Sequence, residues 1–362
     1  MTIQESKLYC KDIEEVAAMR LDWEKLKGKS VAISGGTGMI GSFLVDVLMY
    51  RNVRYNQNTD VYVLGRSKAK AMERFGEYAK SIYFYFLEQD ISEPINSVCD
   101  GMEIKHIDYV IHAASNTHPV AYASDPIGTI SANVIGTNNL LKWATQINAE
   151  RFVFLSSVEV YGENRGDIDK FTEDYLGYID CNTLRAGYPE SKRTGEALCQ
   201  AYIKKYGLDV VIPRLSRTYG PTMLATDTKA LSQFIKNSVA GEDIILKSQG
   251  NQEYSYSYVA DAVSAIFKII VDGSCGEAYN VASKKSDIML KELAEILADY
   301  SKTQVVFQLP DGVEKSGYST ATKATLDVSK LNAIGWQSGF NIERGLHHTV
   351  DIMREIASNN ED

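Results

Sequence analysis

Cysteine is sparse and poorly placed for cross-links. There are five, Cys10, Cys99, Cys181, Cys199 and Cys275, an odd number with no C-x-x-C spacing. This argues against a disulfide scaffold and a thiolate zinc site, and it fits a reducing cytoplasm. The five histidines are scattered apart from His347-His348, which read as a solvated helix face, so no metal site is expected. No window approaches the roughly 20 apolar residues of a membrane span. The N-terminus, MTIQESKLYCKDIEEV, lacks the basic and apolar regions of a signal peptide. Basic charge is in deficit too: the net charge is −9 and the pI near 5.3. Nucleic acid and anionic membranes are therefore poor partners, although one local basic site suffices for a phosphorylated small molecule. What remains, 362 residues with 44% hydrophobic and 23% charged, is an ordinary globular composition. The length allows two or three domains, or one body with an appended lobe.

Residues 11–27 read as a short amphipathic helix, with Ile13, Val16, Ala17 and Met19 set among charges. Val31-Ala32-Ile33-Ser34 is a short apolar run ending in glycines, as a buried parallel strand does. A helix over about 40–51 and a second strand at Val61-Tyr62-Val63-Leu64 follow. Further strands are expected near 82–87, 108–113, 151–156 and 208–213, separated by helices that include 130–147 and 189–206. This alternation predicts an α/β fold, a doubly wound parallel sheet. After about 215 the rhythm breaks. A helix at 228–240, the run Ile244-Ile245-Leu246 and a helix near 288–300 suggest a smaller mixed α/β lobe packed on the sheet's C-terminal edge.

Gly35, Gly38 and Gly41 form G-x-x-G-x-x-G between the first strand and its helix, with Thr37, Met39 and Ile40 inside the turn. Such a turn lets the backbone approach a pyrophosphate and aims a helix N-terminus at its charge. The second strand ends Leu64-Gly65-Arg66-Ser67, with no acid for a ribose 2′-hydroxyl. Arg66 and Ser67 thus tilt the cofactor from NAD toward NADP, unless Arg66 only stacks on adenine or sits in solvent. Asp90 and Ile91 follow the third strand, where they could meet the adenine ring; Asp90 could equally cap a turn.

Tyr188 and Lys192 form Y-x-x-x-K, which on a helix shares one face. A free phenol titrates near 10, about three units too high for a base at neutral pH, and a nearby ammonium lowers that barrier. Ser157, at the end of the strand reading Leu155-Ser156-Ser157, could hydrogen-bond the reacting oxygen beside Tyr188.

Together the glycine turn, Val110-Ile-His-Ala-Ala-Ser115, Ser156-Ser-Val-Glu-Val-Tyr-Gly162, Tyr188-x-x-x-Lys192 and Pro213-Arg-Leu-Ser-Arg-Thr-Tyr-Gly-Pro221 resemble the nucleotide-sugar epimerase/dehydratase/decarboxylase family of extended short-chain dehydrogenases/reductases. The likeness runs from about 28 to 350 and includes Trp336. It implies an N-terminal extension over 1–27, a Rossmann domain over 28–215 and a nucleotide-sugar lobe over 216–362, from which the chain could cross back to the sheet. It also implies a bound NAD or NADP, a nucleotide-sugar substrate and a homodimer. Ala113, Ala114, Ser115 and Asn133, with Tyr188 and Lys192, would then line the cofactor.

The shared chemistry would start with Tyr188 taking the sugar O4 proton as C4 gives up hydride, leaving a 4-keto sugar. A 4,6-dehydratase of the family carries an Asp-Glu pair after the serine; here it reads Val158-Glu159, and valine donates no proton. A decarboxylase needs no such acid. The segment Ala114–Tyr122, with Asp125-Pro126, Asn133–Thr137 and Leu184-Arg185-Ala186-Gly187-Tyr188, resembles UDP-glucuronate decarboxylases. Arg185 could meet the substrate carboxylate or form a structural ion pair, and Tyr122 could line the substrate. A 4-epimerase needs only the Ser/Tyr pair, leaving Glu159 structural, and Arg66 keeps an NADPH-dependent keto-sugar reductase open. Two departures stand out. Tyr254 occupies the place of an arginine that grips the diphosphate in much of the family, and Thr322-Lys323 replaces an arginine pair. Lys323 could supply charge without the guanidinium fork. Arg217, where relatives often have asparagine, could compensate. Tyr254, Tyr256 and Tyr258 read as the packing face of a strand.

Overall fold

The computed structural model describes residues 2–99, 101–115, 125–283, 285–308 and 321–358. Eight strands form one all-parallel sheet: β1 (Ser30–Ser34), β2 (Asp60–Gly65), β3 (Phe84–Glu88), β6 (Tyr109–His112), β7 (Arg151–Phe154), β9 (Val210–Leu215), β13 (Ala278–Val281) and the short β8 (Ser156–Ser157) beside β9. A short hairpin of β4 (Val98–Cys99) and β5 (Met102–Glu103) lies between β3 and β6 in the chain. The spatial order is β3-β2-β1-β6-β7-β9-β13. The chain winds outward from β1 to β3, then restarts on the other side of β1 with β6. Strand order reverses there, and at such a switch point an open α/β sheet forms a crevice beyond its strand ends.

Helices cover both faces, so each strand alternates between two apolar cores rather than between core and water. Val31, Ile33, Val61, Val63, Ile111, Val153 and Val211 enter one core, with helices α1 (Lys7–Ala17), α2 (Met39–Tyr55) and the helix Val259–Asp272. Ala32, Leu64, Val110, Phe152, Phe154, Val210 and Ile212 enter the other, under helices Pro126–Gln146 and Gly187–Tyr206. This two-sided burial makes the strands read as unbroken apolar runs.

Past residue 215 the chain leaves the sheet. β10 (Arg217–Tyr219), β12 (Glu253–Tyr258), β14 (Asp287–Met289) and β16 (Lys323–Ala324) build a small mixed sheet centred on β12. β11 (Ile244–Leu246) pairs with β15 (Val305–Phe307), and β13 returns to the large sheet beside β9.

The N-terminal segment departs from the expected helix over 11–27. Helix α1 starts earlier because Ser6 accepts from the Tyr9 amide (3.3 Å), and it ends at Ala17, whose carbonyl accepts from the Arg51 guanidinium. Trp23 then turns into the core beneath Arg51 and beside Phe267, in a short 3-10 turn. His347 and His348 do not form a solvated face either. His347 stacks on Tyr300 at 3.8 Å, and His348 Nδ1 lies 2.9 Å from the buried Asp12 carboxylate.

Candidate active site

The glycine turn occupies the end of β1 at the switch point. Gly35 has φ +71°, and a Cβ there would lie 2.6 Å from the backbone of Ala114, which follows β6. A Cβ on Gly41 would lie 2.3 Å from the Gly35 carbonyl oxygen, so the turn and the start of α2 are packed backbone against backbone. Gly38 is the N-cap of α2, and no side chain caps it. The first amides of α2 therefore face the crevice, a fit for a pyrophosphate. Thr37, Met39 and Ile40 sit in this turn and the first turn of α2, with Ala113 and Ala114 opposite. Gly35→Ala should lower the NAD content of the purified protein roughly tenfold or more, since strain of about 1–3 kcal/mol falls on the turn. Chromatography of cofactor released by denaturation measures this.

Strand β7 stops at Phe154, and the chain resumes beside β9 as β8 (Ser156–Ser157). The break leaves the Leu155 carbonyl to accept from Lys192 Nζ at 2.8 Å, with the ammonium 4.9 Å from the centre of the Phe154 ring. Lys192 is 3% exposed and Tyr188 6% exposed, one helical turn apart on Gly187–Tyr206. Burial pulls the Lys192 amine down to about 8, partly offset by Glu196. Burial pushes the Tyr188 phenol up to about 12, against hydrogen bonds from Ser157 and Ser115 that favour phenolate. Glu159 also pushes it up and Arg185 pulls it down. Tyr188, Ser157 and Ser115 thus meet at the C-terminal edge of the sheet, beside the glycine turn.

Glu159, two residues past Ser157, is held between arginines. Arg185 Nη2 donates to Oε2 at 2.8 Å, and Arg217 Nη2 lies 3.7 Å from Oε1. Arg217 in turn lies flat on the Tyr254 ring, its Cζ 3.5 Å from the ring centre. Tyr254, Tyr256 and Tyr258 are all buried, as expected for a packing face, and Tyr254 additionally carries this guanidinium.

Other expected residues have different partners. Ser67 caps the helix Lys68–Phe75 by accepting from Lys70 N, and Arg66 is exposed at the end of β2. Asp90 accepts from Ser92 N in a turn, while Ile91 is 8% exposed and packs where a Cβ on Gly136 would fall. Lys323 pairs with Asp169 at 2.6 Å and with Glu253 at 4.0 Å. Tyr122 and the rest of 116–124, which carried part of the family likeness, lie outside the described residues.

Asn133 belongs to a buried chain that residue patterns alone did not reveal. Its Nδ2 donates to Ser191 Oγ at 2.8 Å, Ser191 Oγ donates to the Tyr188 carbonyl at 2.7 Å, and Ser115 Oγ donates to Asn133 Oδ1 at 2.8 Å. His112 bridges Ser34 (2.9 Å) and Thr137 (3.0 Å), tying the glycine turn to the same helix, and burial holds its imidazole neutral. A signal was present: Ser34 and His112 each end an otherwise apolar strand.

Comparison with known proteins agrees with this geometry. Residues 31–282 match the NAD dependent epimerase/dehydratase family. UDP-glucuronic acid decarboxylase 6 of Arabidopsis thaliana is 28% identical over 317 residues, covering 87% of this chain and 86% of its own. UDP-glucuronic acid decarboxylase 1 of Danio rerio is 28% identical over 332 residues, covering 91% of this chain and 73% of its own. In fold, the chain is similar to UDP-glucose 4-epimerase of Thermotoga maritima, with TM-score 0.75, 22% identity, and coverage of 91% and 99%. It is also similar to the dTDP-glucose 4,6-dehydratase of Streptomyces venezuelae solved with NAD, with TM-score 0.75, 23% identity, and coverage of 91% and 98%. With its glycine cradle, its Ser157/Tyr188/Lys192 cluster and a family match across most of its length, this chain belongs to the NAD-dependent epimerase/dehydratase family.

Proposed function

We propose that this protein decarboxylates a UDP-glucuronate-like nucleotide-sugar through a 4-keto intermediate. The observation carrying this reading is Tyr188 bonded to Ser157 and Ser115 while Arg185 and Arg217 converge on Glu159 beside it. Tyr188 as phenolate takes the O4 proton, and Ser157 holds the oxygen. The Gly35–Gly41 turn and Lys192 would hold a dinucleotide, whose chemistry would be reversible hydride exchange at C4. The 4-ketone makes the C5 carboxylate a β-keto acid. Loss of CO2 then leaves its electron pair in the C5–C4 enolate, which is protonated at C5, and Tyr188 returns its proton to O4. Val158, which cannot donate a proton, weighs against a 4,6-dehydration, and the curated relatives point to the same reaction.

The test is to add UDP-glucuronate to the NAD-loaded enzyme and follow CO2 and reduced cofactor. Release of CO2 without net NADH supports the reading. An isomer that keeps its carboxylate would instead show a 4-epimerase. Net NADPH consumption on a keto-sugar would mark a reductase, and would give the exposed Arg66 its role. We also read the protein as cytoplasmic and homodimeric. No helix among the described residues is long and apolar enough to cross a membrane. Ile127, Ile130 and Ile135 stand exposed on the helix Pro126–Gln146 and would form the dimer face.

A further inference from the structure

Resting on that reading, we infer that Arg217, laid on Tyr254 beside Glu159, binds the carboxylate of the substrate's sugar and makes the enzyme selective for a uronic acid. Two guanidinium groups face the Glu159 carboxylate here, in a half-buried cleft. Arg185 holds Glu159 with a 2.8 Å hydrogen bond. The 3.7 Å separation of Arg217 from the same carboxylate is an ion pair beyond hydrogen-bond reach. The Arg217 fork is therefore not satisfied by Glu159, and a second carboxylate can take it bidentately.

The guanidinium is also pre-oriented. Its face rests on Tyr254, which is itself fixed by donation from its hydroxyl to the Ala321 carbonyl at 2.6 Å and by edge contact with Tyr256. Stacking occupies the flat face and leaves the N–H edge for an anion. Position decides which anion. Arg217 follows directly after the C-terminal end of β9 and reaches Glu159, two residues from the serine bonded to Tyr188. Its charge therefore lies at the reacting end of the sugar, where a C5 carboxylate would be, rather than along the nucleotide diphosphate.

The experiment is calorimetric binding of UDP-glucuronate, UDP-glucose and UDP to the NAD-loaded enzyme, parent and Arg217→Gln. The parent should bind UDP-glucuronate about tenfold or more tighter than UDP-glucose, and Arg217→Gln should erase that preference by weakening UDP-glucuronate about 10- to 100-fold. Arg217→Lys, which keeps the charge and loses the fork, should fall between the two. A parent with no preference for UDP-glucuronate overturns the inference, as does a variant that loses affinity equally for all three ligands, which would place the charge at the diphosphate. If the preference is present but no CO2 is released, the proposed reaction fails and the carboxylate site stands. If CO2 is released and Arg217→Gln keeps the preference, only this inference fails.

Discussion

Tyr188→Phe should lower turnover about a thousandfold while leaving the circular dichroism spectrum and the NAD content at parental values. The substitution removes one oxygen from a side chain that is 6% exposed and keeps the ring that fills the space. What disappears is the phenol oxygen that hydrogen-bonds with both Ser157 and Ser115. The pH dependence gives a second signature. With Lys192 near 8 and Tyr188 near 12, the pair holds two protons at low pH and loses the first near 8. The working form, phenolate beside ammonium, contains one proton. The parent's kcat/KM should therefore rise with pH up to about 8 and then level, with the limb displaced downward by a positively charged nicotinamide. The residual rate of Tyr188→Phe should lack this limb. A profile that falls through pH 8 in the parent would contradict the assignment.

Arg74→Met should cost about 3–5 kcal/mol of stability. Asp46 lies on α2 with its side chain fully buried, paired with Arg74 from the helix Lys68–Phe75. Its carboxylate also accepts from Tyr9 of α1 (2.5 Å) and from Tyr78 (2.9 Å). Burial and Asp46 push both phenols up, so they remain donors. Removing the guanidinium leaves a buried charge with only neutral donors, a larger penalty than the pair's own contribution to stability. The melting temperature should fall by roughly 4–7 °C. Tyr9→Phe should cost only about 1–2 kcal/mol. Because α2 also presents its N-terminus to the glycine turn, Arg74→Met should lose NAD on heating before the parent does. An unchanged melting curve would show that the cluster contributes nothing.

What the sequence disclosed follows from how these elements are buried. Val31–Ile33 and Tyr109–Ile111 are apolar throughout because both faces of the sheet are covered, so the short apolar runs sufficed to place them. The Y-x-x-x-K spacing was legible because a helix converts four residues into one turn. The arginine cluster was not, since Glu159, Arg185 and Arg217 lie on three segments that converge only when β10 leaves the sheet beside β9. Nor was the pinning of α1, which depends on Asp46 meeting residues from three other segments. The histidine pair was misread for a similar reason. Periodicity shows which residues share a helix face but not what packs against it, and Tyr300 and Asp12 come from distant parts of the chain.

The most direct test of the central claim is a crystal structure of the enzyme with NAD and a bound nucleotide-sugar. The Tyr188 hydroxyl should lie about 2.6–3.2 Å from the sugar's O4, with the nicotinamide ring against C4 on the other side. A phenol still bonded only to Ser157 and Ser115, with the sugar out of its reach, would contradict the assignment of Tyr188 as the base.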